Sequence, residues 1–166
     1  MPFLRLFAVS LFVLTTLIGC KAKPFQPVQA PDFSLKDLSG KTVTLSSLRG
    51  HPVMLDFWAT WCGPCQISIP LVQHFYQAHK DQGLMVIGVN VDEDPSGVYP
   101  FVKHFKISYP VVHAGGTSVP EDYHVEGIPL FIFINKEGRI VKRFDGFRPD
   151  MAEDWEFEFQ QLTTTK

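Results

Sequence analysis

The strongest constraint on this chain is the join between Val53-Met54-Leu55-Asp56-Phe57-Trp58 and Trp61-Cys62-Gly63-Pro64-Cys65. An apolar run of strand length leads straight into two cysteines separated by two residues, and a helical pattern follows. A cysteine at a helix start faces unpaired backbone N–H groups and the positive end of the helix dipole. Both favour thiolate over thiol, so the first cysteine becomes nucleophilic near neutral pH. Pro64 sits just inside the helix, where its missing N–H costs no hydrogen bond. The spacing lets Cys62 and Cys65 close into a disulfide within one turn, and the pair reads as a redox dithiol. Two other uses of such a pair are half of a zinc site and a purely structural disulfide. Zinc needs further ligands, but no cysteine follows Cys65 and the six histidines have no metal-finger spacing. A loop this short constrains the unfolded chain little.

At 166 residues the chain suits one domain with a sizeable core. Its formal net charge of −2, with both signs dispersed, gives no electrostatic footprint for nucleic acid. No G-x-G-x-x-G or P-loop sequence occurs, so no nucleotide or flavin cofactor is expected, and no metal either. Arg5 precedes a mostly apolar run from Leu6 to Ile18, too short for a stable membrane span and suited to a secretory signal. The run ends in Leu17-Ile18-Gly19-Cys20, which resembles the bacterial lipoprotein processing box. That resemblance implies cleavage before Cys20 and a lipid on its sulfur. The alternatives are an ordinary cleaved signal or an uncleaved anchor, with Cys20 incidental. The chain then divides into a signal peptide (1–19), a lipid-anchored tether (20–31) carrying Pro24, Pro27 and Pro31, and a folded domain (32–166). Export would put the dithiol where thiols tend to be oxidised, so a reductase there needs electrons from elsewhere.

From Asp32 onward the pattern is α/β. Phe33-Ser34-Leu35 and Thr42-Val43-Thr44-Leu45 flank a turn at Ser39-Gly40 and predict a β-hairpin, followed by a short turn from Ser46 to Gly50. After the Val53–Trp58 strand, Ile67, Leu71, Phe75 and Ala78 predict a helix to about Lys80, with a kink at Pro70. Leu84 to Val91 reads as a fully buried strand. Asp94-Pro95 caps a second helix whose apolar face is Val98, Phe101, Val102 and Phe105, with Pro100 bending it or delaying its start. Tyr109 to Val112 is a short strand, and Gly115 to His124 is loop with at most a short helix. Leu130–Ile134 and Ile140–Phe144 form a hairpin around Asn135-Lys136-Glu137-Gly138. A last helix from about Asp150 puts Met151, Trp155, Phe159 and Leu162 on one side. The sum is a mixed central sheet with helices on both faces.

The string from Asp56 to Cys65 closely resembles the thioredoxin active site. The preceding hairpin, the inserted helix after Val91 and Tyr123-x-Val125-x-Gly127-Ile128-Pro129 resemble the exported TlpA/ResA/CcmG branch. The likeness covers about Ala30 to Leu162 and implies a thioredoxin-like fold. By resemblance, Cys62 is the exposed attacking thiolate, Cys65 is the buried thiol that resolves the mixed disulfide, and Trp61, Gly63 and Pro64 meet the substrate. The family also implies a cis peptide before Pro129, whose X-Pro bond costs only ~0.5–1 kcal/mol to hold cis. The backbone of Ile128 could then pair with a substrate strand. An ordinary trans proline opening a strand is the alternative.

Asp56 is the sharpest single residue. A carboxylate inside an apolar strand must neutralise or pair, unless the strand is an edge and Asp56 faces solvent. Thioredoxin has an Asp here that moves protons for the buried cysteine, so Asp56 is expected to have a raised pKa and to accept the Cys65 proton. Glu93 is a second candidate acid, because Val89-Asn90-Val91-Asp92-Glu93 resembles the stretch where ResA-like proteins place one. Asp92 fits as well, and either could be a solvated loop or helix-start charge.

The resemblance implies a membrane-tethered thiol-disulfide oxidoreductase that reduces exported proteins, apocytochrome c among the plausible clients, and is re-reduced by a membrane thiol carrier. Its place would be the bacterial cell envelope, on the periplasmic side. Two other classes compete. Thiol peroxidases carry Pro-x-x-x-Thr-x-x-Cys, but Leu55 and Ala59 stand at those two positions here. Sco-type copper chaperones use Cys-x-x-x-Cys with a distant histidine. The spacing here is one residue short, although His104, His113 or His124 could supply a ligand.

Overall fold

The computed structural model describes residues 26–164. The signal-peptide, Cys20-lipid and most of the tether expectations lie outside them. The domain is built on Val53–Trp58 (β4), buried at every position and flanked on both sides. It runs parallel to Met85–Asn90 (β5) and antiparallel to Leu130–Ile134 (β7). Val111–His113 (β6) extends the sheet beyond β5, and Arg139–Asp145 (β8) extends it beyond β7. Val28–Gln29 (β1) pairs antiparallel with β8, giving the order β1-β8-β7-β4-β5-β6. That register corrects the expected start of the domain at Asp32: Val28 and Gln29, assigned to the tether, belong to the sheet, and Ala30 is buried. Ser34–Lys36 (β2) and Thr42–Thr44 (β3) form the expected separate hairpin. It is fastened to β6 by an Asp37–Val112 bridge.

Alternation along β4 divides the core in two. Met54 and Trp58 join Ile69, Val72 and Phe75 of Gly63–His79 (α1), Val98 of Val98–Phe105 (α2), and Trp155 and Phe159 of Met151–Thr164 (α4). Val53, Leu55 and Phe57 face the other way, against Phe33, Val43 and Leu45 of the hairpin region. Val119 of the single-turn Val119–Asp122 (α3) and Tyr123 complete that face. The long helices therefore share one face, and the hairpin covers much of the other. Phe75 packs edge-on or tilted against Phe133, Trp155 and Phe159, tying α1 to β7 and α4.

Both helix-interior prolines are accommodated. α1 runs on through Pro70, which cannot donate to the carbonyl one turn back. α2 begins before Pro100, which falls in its first turn where no donor is needed. Asp94 caps the preceding short 3-10 turn, accepting from Ser96 N at 2.9 Å. The last helix buries Met151, Trp155, Phe159 and Leu162, the face anticipated from their spacing.

Candidate active site

The dithiol lies where β4 hands over to α1. Cys62 is the N-cap of α1 and Cys65 its third residue, and the two are joined as a disulfide with Cα atoms 5.2 Å apart. Cys65 N donates to Cys62 Sγ at 3.2 Å, so a helix-start amide already points at the sulfur that would carry charge once reduced. Cys65 is fully buried, and Cys62, expected to be exposed, is itself only 4% exposed in the disulfide, whereas the neighbouring Trp61 is 70% exposed. Gly63, Pro64 and Ile67 are exposed beside it, so the dithiol is framed by surface a partner can reach.

Asp56 is fully buried, and β4 is a central strand, which removes the edge-strand alternative. By alternation its side chain projects with Met54 and Trp58, on the face covered by α1 and holding Cys65. Burial pushes its carboxyl up to about 7, offset only by a hydrogen bond from Tyr109. The Tyr109 hydroxyl donates to Asp56 Oδ2 at 3.3 Å, while Oδ1 has no partner among the described residues.

The Ile128–Pro129 peptide is cis. Pro129 is buried, and Ile128 packs against the cluster that contains both cysteines.

The two candidate second acids have different surroundings. Asp92 is buried and accepts from Thr60 N (2.9 Å), Thr60 Oγ1 (2.9 Å) and Asn90 Nδ2 (2.6 Å). His113 Nε2 lies 2.7 Å from the Asp92 carbonyl, a contact that requires the proton on Nε2. Gly115 is forced by this packing, since a Cβ there would stand 1.8 Å from the same carbonyl oxygen. Asp92 thus buckles the loop before Cys62 onto the end of β5. Glu93 is exposed and lines, with Thr60, Trp61, Asp94 and Ser96, an open groove of about 510 Å³ beside the dithiol.

Sequence reasoning missed Tyr109 as a site residue, and also the Thr60–Asn90–Asp92–His113 buckle. Tyr109 reads only as the start of a strand, and its contact with Asp56 spans 53 positions. The buckle did leave a signal: Asn90 and Asp92 put polar groups two apart where an apolar strand ends.

A central mixed sheet, a dithiol at a helix start, a cis X-Pro bond just before β7 and a buried carboxyl on the sheet face of the dithiol's cluster define a thioredoxin-like redox domain. A family model described as Redoxin matches residues 27–157, and the chain belongs to that family. Over 117 residues it is 39% identical to the thiol-disulfide oxidoreductase ResA of Bacillus subtilis, covering 70% of this chain and 65% of that one. The ResA of Bacillus cereus is 36% identical over 135 residues, with 81% and 77% covered. A crystal structure of a Chlorobium tepidum protein described as a thiol:disulfide interchange protein DsbE superposes with a TM-score of 0.79 at 31% identity, covering 85% and 99%. StoA from Bacillus subtilis gives 0.67 at 28%, covering 79% and 98%. With its Cys62–Cys65 pair, the chain is a thiol-disulfide oxidoreductase.

Proposed function

We propose that this oxidoreductase is an exported, membrane-tethered reductase of protein disulfides. One observation carries the reading: a carboxyl group titrating near neutrality is buried on the sheet face that holds the resolving cysteine. In the proposed cycle the Cys62 thiolate attacks a client disulfide, forming a mixed disulfide and releasing one client thiolate. Cys65 then gives its proton to Asp56 and attacks Cys62 Sγ, and the second client sulfur leaves as thiolate. Two electrons pass from the dithiol to the client, leaving the Cys62–Cys65 disulfide. Ile128 and Pro129 would align the client strand, and Trp61 would offer it an apolar surface. Glu93, exposed on the groove, fits charge selection among clients better than proton transfer.

The Leu17-Ile18-Gly19-Cys20 sequence supports a lipid on Cys20 and a place on the periplasmic side of the bacterial envelope. No described helix is long and apolar enough to cross a membrane. From Cys20 to Val28 an extended chain reaches at most about 28 Å. The dithiol would therefore work close to the membrane, within reach of a membrane thiol carrier that restores its electrons. The cysteine pair of an apocytochrome c is a client of suitable chemistry. A peroxidase reading lacks support, because Ala59 is fully buried and brings no hydroxyl to hold peroxide.

The test is the reduction potential of Cys62/Cys65, from equilibration with thiol buffers of known ratio. A value near ~−270 mV, as in thioredoxin, is expected. A value near ~−120 mV, as in the strong oxidant DsbA, would make the protein a source of disulfides and end the reductase reading.

A further inference from the structure

Asp56 is held from one side only. Tyr109 donates to Oδ2, and Oδ1, equally buried, meets no hydrogen-bonding group among the described residues. Tyr109 is 3% exposed and reaches Asp56 because β5 places Gly88 in register with it. A Cβ at Gly88 would come within 3.1 Å of the Tyr109 ring and of Trp58 Nε1. Tyr76 of α1 closes on the Tyr109 ring edge-on, with centroids 5.9 Å apart. Burial and the neighbouring carboxyl push the Tyr109 phenol well above its ordinary value, so it stays a hydroxyl and keeps donating. The titratable members of the core cluster on this side of the sheet are Cys62 and Cys65 at the start of α1, Tyr76 further along α1 and Tyr109 from the segment before β6, while His79 of α1 pairs with Glu156 of α4. Phe131 is the β7 neighbour in register, and among the described residues no charged side chain shifts Asp56.

We infer that Tyr109 is the positioning residue of the proton-transfer step: by holding Oδ2 it leaves Oδ1 as the oxygen that takes the Cys65 proton. This rests on the reading of Asp56 as the acceptor. In the step, the Cys65 S–H bond breaks and an O–H bond forms at Oδ1. The new thiolate displaces the client sulfur from Cys62, and Asp56 later returns the proton to Cys65 when the dithiol is restored. Throughout, the Tyr109 proton stays on its own oxygen. It stabilises the carboxylate more than the acid, which keeps Asp56 low enough to accept a proton at neutral pH.

The test is the pH dependence, from pH 5 to 9, of disulfide-peptide reduction by the reduced full chain. It is run on wild type, Tyr109→Phe, Asp56→Asn and the double variant, alongside ¹³C titration of the Asp56 carboxyl. Wild type should inflect near 7. Tyr109→Phe removes only the hydroxyl and should move both the inflection and the carboxyl titration alkaline by about one pH unit, slowing reduction below the inflection about tenfold. Gly88→Ala, which crowds the ring without removing the hydroxyl, should give a smaller shift in the same direction. Asp56→Asn should erase the inflection, and the double variant should match it. If Asp56→Asn erases the inflection but Tyr109→Phe leaves it in place, Tyr109 has no positioning role and Asp56 keeps its own. If Asp56→Asn leaves the inflection untouched, the acceptor reading fails and the Tyr109 role with it.

Discussion

Among the described residues two carboxyl groups are buried, Asp56 within β4 and Asp92 just after β5, and their surroundings are opposite. Asp92 is saturated: Thr60 gives it a backbone and a hydroxyl donor, and Asn90 gives it an amide. Among the described residues Asp56 receives one 3.3 Å hydrogen bond, and its Oδ1 has no partner. Three donors from two segments tie the Thr60 loop to the end of β5, so Asp92 is an anchor. A starved carboxyl in an apolar site sits near the point where gaining and losing a proton are balanced. Burial alone does not mark a functional acid. What separates the two regions is how completely the surrounding chain pairs the oxygens.

The largest effect expected from this contrast is on stability against pH. The Asp56 carboxyl is raised from 3.8 to about 7 in the native state. Between these values the native protein holds a proton that the unfolded chain has released, so stability falls as pH rises through the window. Below about pH 4 both states are protonated and the contribution is fully present. Above about pH 7 both are ionised and the loss is complete, at about 4 kcal/mol. Asp56→Asn should therefore flatten the decline of the urea midpoint between pH 4 and 8. A decline of wild-type steepness in that variant would show that Asp56 does not titrate in this range.

The next effect tests the anchor. Asp92→Ala leaves the donors of Thr60 and Asn90 without their acceptor in a buried setting and should cost about 2–3 kcal/mol. Its pH–rate profile should keep the wild-type inflection, because the part Asp92 plays is to hold the Thr60 loop against Asn90. An inflection lost in Asp92→Ala would erase the distinction between the two acids.

How much of this was legible in the sequence depends on the range of the forces involved. Val53–Trp58 was read to the residue because six consecutive positions are buried and the pattern breaks at both ends. The buried face of the last helix was read from its spacing alone. Both are local signals. The strand at Val28–Gln29 reads as tether in the sequence, since a two-residue strand near Pro27 and Pro31 has no pattern of its own. Only its partners Ile140 and Arg139 make it a strand. Asp56 could be singled out because a charge in an apolar run is locally anomalous. Tyr109 was silent for the converse reason: an aromatic residue before a short strand looks like core, and only the folded sheet brings it to the carboxylate. Between Asp92 and Glu93 the choice turned on which residue points inward. Asp92 follows Asn90 by two positions and keeps its side, while Glu93 turns to solvent where the strand ends.

The smallest effect belongs to that last residue. Glu93 lies on the groove with the 70%-exposed Trp61, where water screens its charge. Glu93→Gln should leave stability within about 0.5 kcal/mol of wild type and the pH–rate inflection unmoved. What should change is KM for client peptides carrying lysine or arginine next to the disulfide, raised by about two- to threefold at low salt and converging with wild type as salt is added. kcat should stay the same, because a rim charge acts on encounter and not on the sulfur chemistry. A drop in kcat with KM unchanged would place Glu93 with Asp56 among the proton-handling groups, and the division between a starved buried acid and its surroundings would need a second member.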